Sequence, residues 1–96
     1  MGKKLPPEQL ELYQKLDEIL WADWDPIGIS DVSEARDEYY NYLPRVFHLT
    51  LENSDANPIA EYLFSVETKA MGLSGNMKHC TEIATLILKT KDNLGL

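Results

Sequence analysis

The side chains best placed to bind an ion lie in segment 23–34, which its proline, glycine and serine residues mark as a loop. An EF-hand loop binds calcium through oxygen ligands at positions 1, 3, 5, 7, 9 and 12 and has glycine at position 6. When Asp23 is counted as position 1, Gly28 occupies position 6. Carboxylates then stand at four ligand positions, as Asp23, Asp25, Asp31 and Glu34. One interpretation of the segment is therefore a calcium site.

The same segment also departs from the EF-hand pattern. Ile27 at position 5 has no side-chain oxygen, and Pro26 stands at position 4. A single hand also lacks the partner that would bury its helix faces. We therefore favour the interpretation in which the aspartates cap helix ends and turns while Trp24 and Ile27 pack into the core. A calcium-responsive domain is the alternative hypothesis.

The histidines and the cysteine do not have the spacing of a metal site. Adjacent residues on a helix point about 100° apart, so His79 and Cys80 cannot easily bind one ion together. His48 lies on another predicted helix, and both histidines are expected at the surface. Cys80 falls on an apolar stripe, which is typical of a small core residue rather than a reactive thiolate. We expect no metal and no cofactor.

The sequence has no clear pattern for nucleophilic or acid–base catalysis. No serine stands in the strained G-x-S-x-G turn of a nucleophile elbow. Glu61 and Glu67 are the carboxylates near apolar positions of a predicted helix. For Glu67, which precedes Thr68 and Lys69, an exposed ion pair is expected rather than a functional acid. The chain is therefore predicted not to be an enzyme.

Aromatic and acidic side chains occur together in residues 24–42. Tyrosine and tryptophan surrounded by acids are typical of a surface that recognises a basic partner. Tyr39 and Tyr40 are adjacent, so one of them should be exposed. The alternative is core packing, with the hydroxyl groups reaching the rim. The residues predicted to bind a partner are Trp24, Asp25, Asp31, Asp37, Glu38 and Tyr40.

The charge of the chain favours some partners and excludes others. Sixteen acidic and nine basic residues give a formal net charge of −7, which disfavours nucleic acid and anionic membranes. No apolar run approaches the roughly 20 residues that span a bilayer, and no secretory signal is evident, so we expect a cytoplasmic protein. The leading hypothesis is a non-enzymatic module that binds a basic protein. An immunity- or antitoxin-like role is one concrete version of it.

Four segments have the apolar spacing of amphipathic helices, near residues 7–22, 34–52, 58–71 and 77–91. Short connections between them favour antiparallel neighbours. The sequence therefore predicts an all-α fold, a compact bundle of about four helices that forms a single domain over residues 1–96.

Proline, glycine and asparagine indicate where these helices begin and end. Pro7 suits a first helical position, and Asn57 before Pro58 predicts an N-cap and the start of the third helix. Gly72 is expected to close that helix in the left-handed conformation. Pro44 interrupts the second segment. We prefer a kink at this proline, and the alternative is a break near Tyr42 with a new helix starting at Pro44.

Several short blocks of the chain resemble a family of small bacterial all-helical proteins that is defined only as a domain of unknown function. The blocks are W-D-P-I-G at 24–28, E-A-R-D-E-Y at 34–39 and M-G-L at 71–73, with Tyr42 and Glu67 between them. Pro44 belongs to the same pattern. The resemblance covers roughly residues 12 to 90 and implies a small α-helical fold in a bacterial cytoplasm. It implies no activity and no site residue.

Overall fold

The computed structural model describes residues 6–25, 28, 39–52 and 55–96. These residues contain four α-helices and no strand, which confirms the predicted all-α fold. The helices are α1 (Pro7–Glu18), α2 (Leu43–Glu52), α3 (Ala56–Ser65) and α4 (Met77–Asn93). Two of them continue directly into a wider helical turn of the π type. We name these turns the first π segment, Ile19–Trp24 after α1, and the second π segment, Val66–Ala70 after α3.

One apolar core joins the four helices. α3 packs along α4, while α1 contacts both α2 and α4 and the first π segment contacts α4. Each helix places its apolar stripe in this core, as its spacing predicts. The buried apolar residues are Leu12, Leu16, Ile19, Leu20, Trp24, Tyr39, Leu43, Val46, Ile59, Ala60, Leu63, Val66, Cys80, Ile83, Ala84 and Ile87. No helix in the described ranges is both long and apolar enough to cross a membrane.

The preferred prediction for the second segment, one helix kinked at Pro44, is wrong. Residues 39–42 form a turn in which the Tyr42 N–H donates to the Tyr39 carbonyl at 3.1 Å, and α2 begins at Leu43. Pro44 therefore lies in the first turn of α2, where its missing N–H leaves no helix bond unmade. The predicted alternative, a break near Tyr42, is what the structure has. Residues 34–38 of the predicted helix lie outside the described residues.

A side chain caps the first turn of both α3 and α4. Asp55, rather than the predicted Asn57, caps α3, because its side chain accepts the Asn57 N–H at 3.1 Å. Proline is tolerated anywhere in a first helical turn, so Pro58 did not fix the boundary. The predicted left-handed Gly72 is confirmed by its φ of +70°. Asn76 caps α4 and accepts the backbone N–H of the third helical residue at 3.1 Å.

Candidate functional site

Glu67 is the most unusual polar residue in the described structure, because only 3% of it is exposed. Its Oε2 accepts the indole N–H of Trp24 at 2.8 Å and the thiol of Cys80 at 3.2 Å. Its Oε1 accepts the backbone N–H of Asn76 at 2.9 Å. The predicted exposed ion pair at Glu67 is therefore wrong. The wider turn of the second π segment shifts the side chain away from the face that a 3.6-residue period assigns to it.

Trp24, which donates to Glu67, is the last residue of the first π segment. Only 1% of this residue is exposed, so its predicted place on an open partner-binding surface is wrong, and the core-packing interpretation holds. Its ring centroid lies 5.3 Å from that of Tyr39 and 6.2 Å from that of Tyr42. The next residue, Asp25, ends the π segment in the left-handed region with φ +34°. Its Oδ1 accepts the Tyr39 hydroxyl at 2.8 Å.

Cys80 completes the group that we name the Glu67 cluster, which consists of Trp24, Glu67, Asn76 and Cys80. Burial, together with the hydrogen bond to Glu67 and the charge of that residue, raises the pKa of the Cys80 thiol to about 12. The thiol therefore stays protonated at neutral pH and acts as a hydrogen-bond donor. The predicted role of Cys80 as a small core residue is confirmed.

The two histidines differ in their surroundings. His48 is exposed, as predicted, and its Nε2 lies 2.8 Å from Glu52 Oε2 one helical turn away. His79 is only partly exposed, and its Nε2 lies 3.0 Å from the Asp23 carbonyl oxygen and 3.1 Å from that of Trp24. The ring of His79 therefore connects α4 to the end of the first π segment.

A shallow cleft of about 550 Å³ opens beside the Glu67 cluster. Asp25, Glu67 and His79 all border it. Each of the three is already held by a hydrogen bond within the protein: Glu67 by indole, thiol and amide donors, Asp25 by Tyr39, and His79 by two carbonyls. These hydrogen bonds hold the Asp25, Glu67 and His79 side chains in fixed positions.

A second, more apolar groove of about 410 Å³ lies between α1 and the turn at 39–42. Leu10 and Tyr40 border it and are 47% and 46% exposed, while Tyr39 is 2% exposed. The prediction that one of the two adjacent tyrosines is exposed is thus confirmed. Burial raises the pKa of Tyr13, and Asp17 and Tyr40 raise it further. We name this feature the Tyr40 groove; it is lined by Leu10, Tyr13, Gln14, Asp17, Tyr40 and Leu43.

The sequence pattern points to Tyr40 but not to the α1 side of its groove. Leu10 is an apolar residue that lies away from the buried stripe of Leu12 and Leu16. An apolar side chain off the core face of an amphipathic helix is the signal that could have found it.

Part of the predicted site lies outside the described residues. Asp31, Asp37 and Glu38 of the predicted partner surface are among them, as is Glu34 of the calcium alternative. Within the ranges that the structure does describe, no three His, Cys, Asp or Glu residues are grouped so that they could hold a metal ion. The calcium alternative therefore stays a prediction.

The function of the Glu67 cluster and the Tyr40 groove has to be inferred from their geometry and charge. No protein-family model, curated protein or solved structure matches this chain.

Proposed function

We propose that the protein is a non-enzymatic binding module that takes a basic protein partner in the Tyr40 groove. The observation that carries the proposal is the pair Leu10 and Tyr40, two large apolar side chains that are each nearly half exposed on one groove. Apolar surface with a polar rim is typical of protein–protein contact sites, and tyrosine is enriched among residues that dominate binding energy. Asp17 provides an acidic group at this rim.

The charge around the groove favours a basic partner over a second copy of the chain. Helix α1, which forms one wall, carries four acidic residues and one lysine: Glu8, Glu11, Asp17, Glu18 and Lys15. Self-association through this face would bring like charges together, in a molecule whose net charge is already −7. Electrostatic attraction would instead steer a basic partner to the groove and raise its association rate. An immunity- or antitoxin-like role, in which the acidic face covers a basic enzyme, is a finer version of the same proposal.

The proposal is tested with a synthetic amphipathic peptide that has lysine on one face and leucine on the other, titrated into the isotopically labelled protein. We expect saturable NMR shifts at Leu10, Tyr13 and Tyr40. Tyr40→Ala should weaken binding about tenfold or more, as the loss of a central aromatic contact does at other interfaces. Leu86→Ala is the matched control, because Leu86 is another exposed large apolar residue that lies on α4 outside the groove.

Two further comparisons test whether charge contributes to binding, and the Tyr40 and Leu86 variants separate groove binding from general charge attraction. A peptide with glutamate in place of lysine should not bind. Binding of the lysine peptide should weaken near 1 M salt, where the Debye length falls to about 3 Å. Equal weakening by the Tyr40 and Leu86 substitutions would contradict the proposal. So would shifts that spread over the whole acidic surface without saturating.

A further inference from the structure

Glu67 makes contacts that only its own side chain can satisfy completely. Its two oxygens receive three donors, the Trp24 indole, the Cys80 thiol and the Asn76 amide. A glutamine has one acceptor oxygen, and its NH₂ group would face a donor. Among the described residues, no buried side-chain N or O atom lacks a hydrogen-bond partner. Glu67 therefore determines where the Trp24 indole points.

Trp24 in turn contacts both ends of the turn that carries Tyr40. Its ring packs against Tyr39 and meets Tyr42 edge-on, with ring planes at 88°. Tyr39 is also held by its hydroxyl bond to Asp25, the residue that follows Trp24. The turn itself is closed by hydrogen bonds from the backbone N–H of Tyr42 to Tyr39 and from that of Leu43 to Tyr40. The position of the indole thus sets the orientation of this turn.

We propose that Glu67 is a positioning residue for the Tyr40 groove, acting through Trp24. This inference rests on the proposed function for its binding consequence, although its structural part can be measured without a partner. The hydrogen bond between the Trp24 indole and Glu67 fixes Trp24, the ring contacts fix Tyr39 and Tyr42, and the turn then presents Tyr40 to the groove. The buried cluster and the exposed groove form one connected unit.

The test compares Glu67→Gln and Trp24→Phe with a control that lowers stability elsewhere. Trp24→Phe keeps an aromatic ring but removes the indole N–H. We expect both variants to shift the Tyr40 ring resonances of the free protein in the same direction. Both should weaken binding of the lysine–leucine peptide several-fold. The double variant should bind little more weakly than either single variant, because both substitutions break the same hydrogen bond between Trp24 and Glu67. Ile87→Val trims the buried face of α4 and should leave Tyr40 resonances and affinity unchanged.

The outcomes separate this inference from the proposed function. Tyr40 resonances that stay at their wild-type positions in a folded Glu67→Gln variant overturn the inference, even when the peptide binds. If the wild-type protein does not bind the peptide but Glu67→Gln shifts the Tyr40 resonances, the proposed function alone is overturned. Circular dichroism establishes which variants fold. Should Glu67→Gln not fold, Trp24→Phe gives the same comparison, and an unmoved Tyr40 there overturns the inference.

Discussion

At the scale of single residues, the chemistry of this protein is concentrated on the buried carboxyl group of Glu67. Burying such a group is unfavourable unless hydrogen bonds replace those it made with water. An indole donor from the first π segment and amide and thiol donors from the start of α4 provide them. Each buried donor left without an acceptor would cost about 1–3 kcal/mol. Glu67 therefore joins the first π segment, the second π segment and the start of α4, and removing its carboxyl group alone would leave these donors without an acceptor.

The raised pKa of the Cys80 thiol should make folding stability depend on pH. Its pKa is raised from 9.0 to about 12 in the folded protein. The unfolded chain therefore loses this proton first, and folding stability should fall as pH rises through the range from 9 to 12. The measurement is urea unfolding at a series of pH values.

Cys80→Ser is the matched control for this experiment. Serine keeps a donor for Glu67 but does not ionise in that range. The difference in folding stability between the wild type and Cys80→Ser should be constant below pH 9. Above pH 9 the wild type should lose stability relative to Cys80→Ser. Parallel pH profiles for the two proteins would show that the thiol is not held in its protonated form.

At the scale of elements, the sequence predicted regular helices well and wider helical turns not at all. The stripe of α4 was predictable because Cys80, Ile83 and Ile87 recur at the α-helical period, and all three are buried. Glu67 was misplaced because it lies in a π segment, where that period does not hold, and its partner Trp24 stands in a segment that the sequence assigns to a loop. Their hydrogen bond joins positions 43 residues apart. No local pattern contains such a pairing.

The connection between α3 and α4 gives a prediction with an internal control. A Cβ added at Gly75 would lie 2.5 Å from Phe64 Cε1 and 2.7 Å from Thr68 Cγ2, and its φ is +84°. Gly75→Ala should therefore destabilise the protein by about 2–5 kcal/mol, the sum of left-handed backbone strain and overpacking. Gly72 has a similar φ of +70° but no neighbour within 4 Å of an added Cβ.

Gly72→Ala should consequently cost only the backbone term, about 1–2 kcal/mol. Denaturant unfolding with an unchanged slope measures both values. Equal losses for the two substitutions would mean that the contact with Phe64 relaxes without cost.

At the scale of the whole molecule, one core supports two surfaces of different character. The cleft beside the Glu67 cluster is polar, and its main groups are already hydrogen-bonded within the fold. The Tyr40 groove is apolar and open, and lies along an acidic helix. The excess of acidic residues was visible in the sequence, but the location of the groove was not, because it forms only where α1 meets the turn at 39–42.

The net charge of −7 predicts a response of the whole fold to salt. Like charges repel one another in the compact state, and raising the ionic strength from about 0.01 to 0.15 M shortens the Debye length from about 30 to 8 Å. We expect Tm to rise by a few degrees, since about 1 kcal/mol corresponds to about 4–8 °C in a domain of this size. Sodium chloride is the suitable salt, because sulfate also strengthens apolar burial. A fall in Tm would show that ion pairs outweigh the repulsion.

The two carbonyl contacts of His79 also decide which tautomer its neutral ring adopts. A backbone carbonyl oxygen can only accept a hydrogen bond, so Nε2, which faces the carbonyls of Asp23 and Trp24, must carry the hydrogen. The lone pair then resides on Nδ1, which lies 3.9 Å from Glu82 Oε1. The Glu82 side of the neutral imidazole therefore offers only an acceptor. The single N–H of the neutral ring thus serves both carbonyl groups at the end of the first π segment.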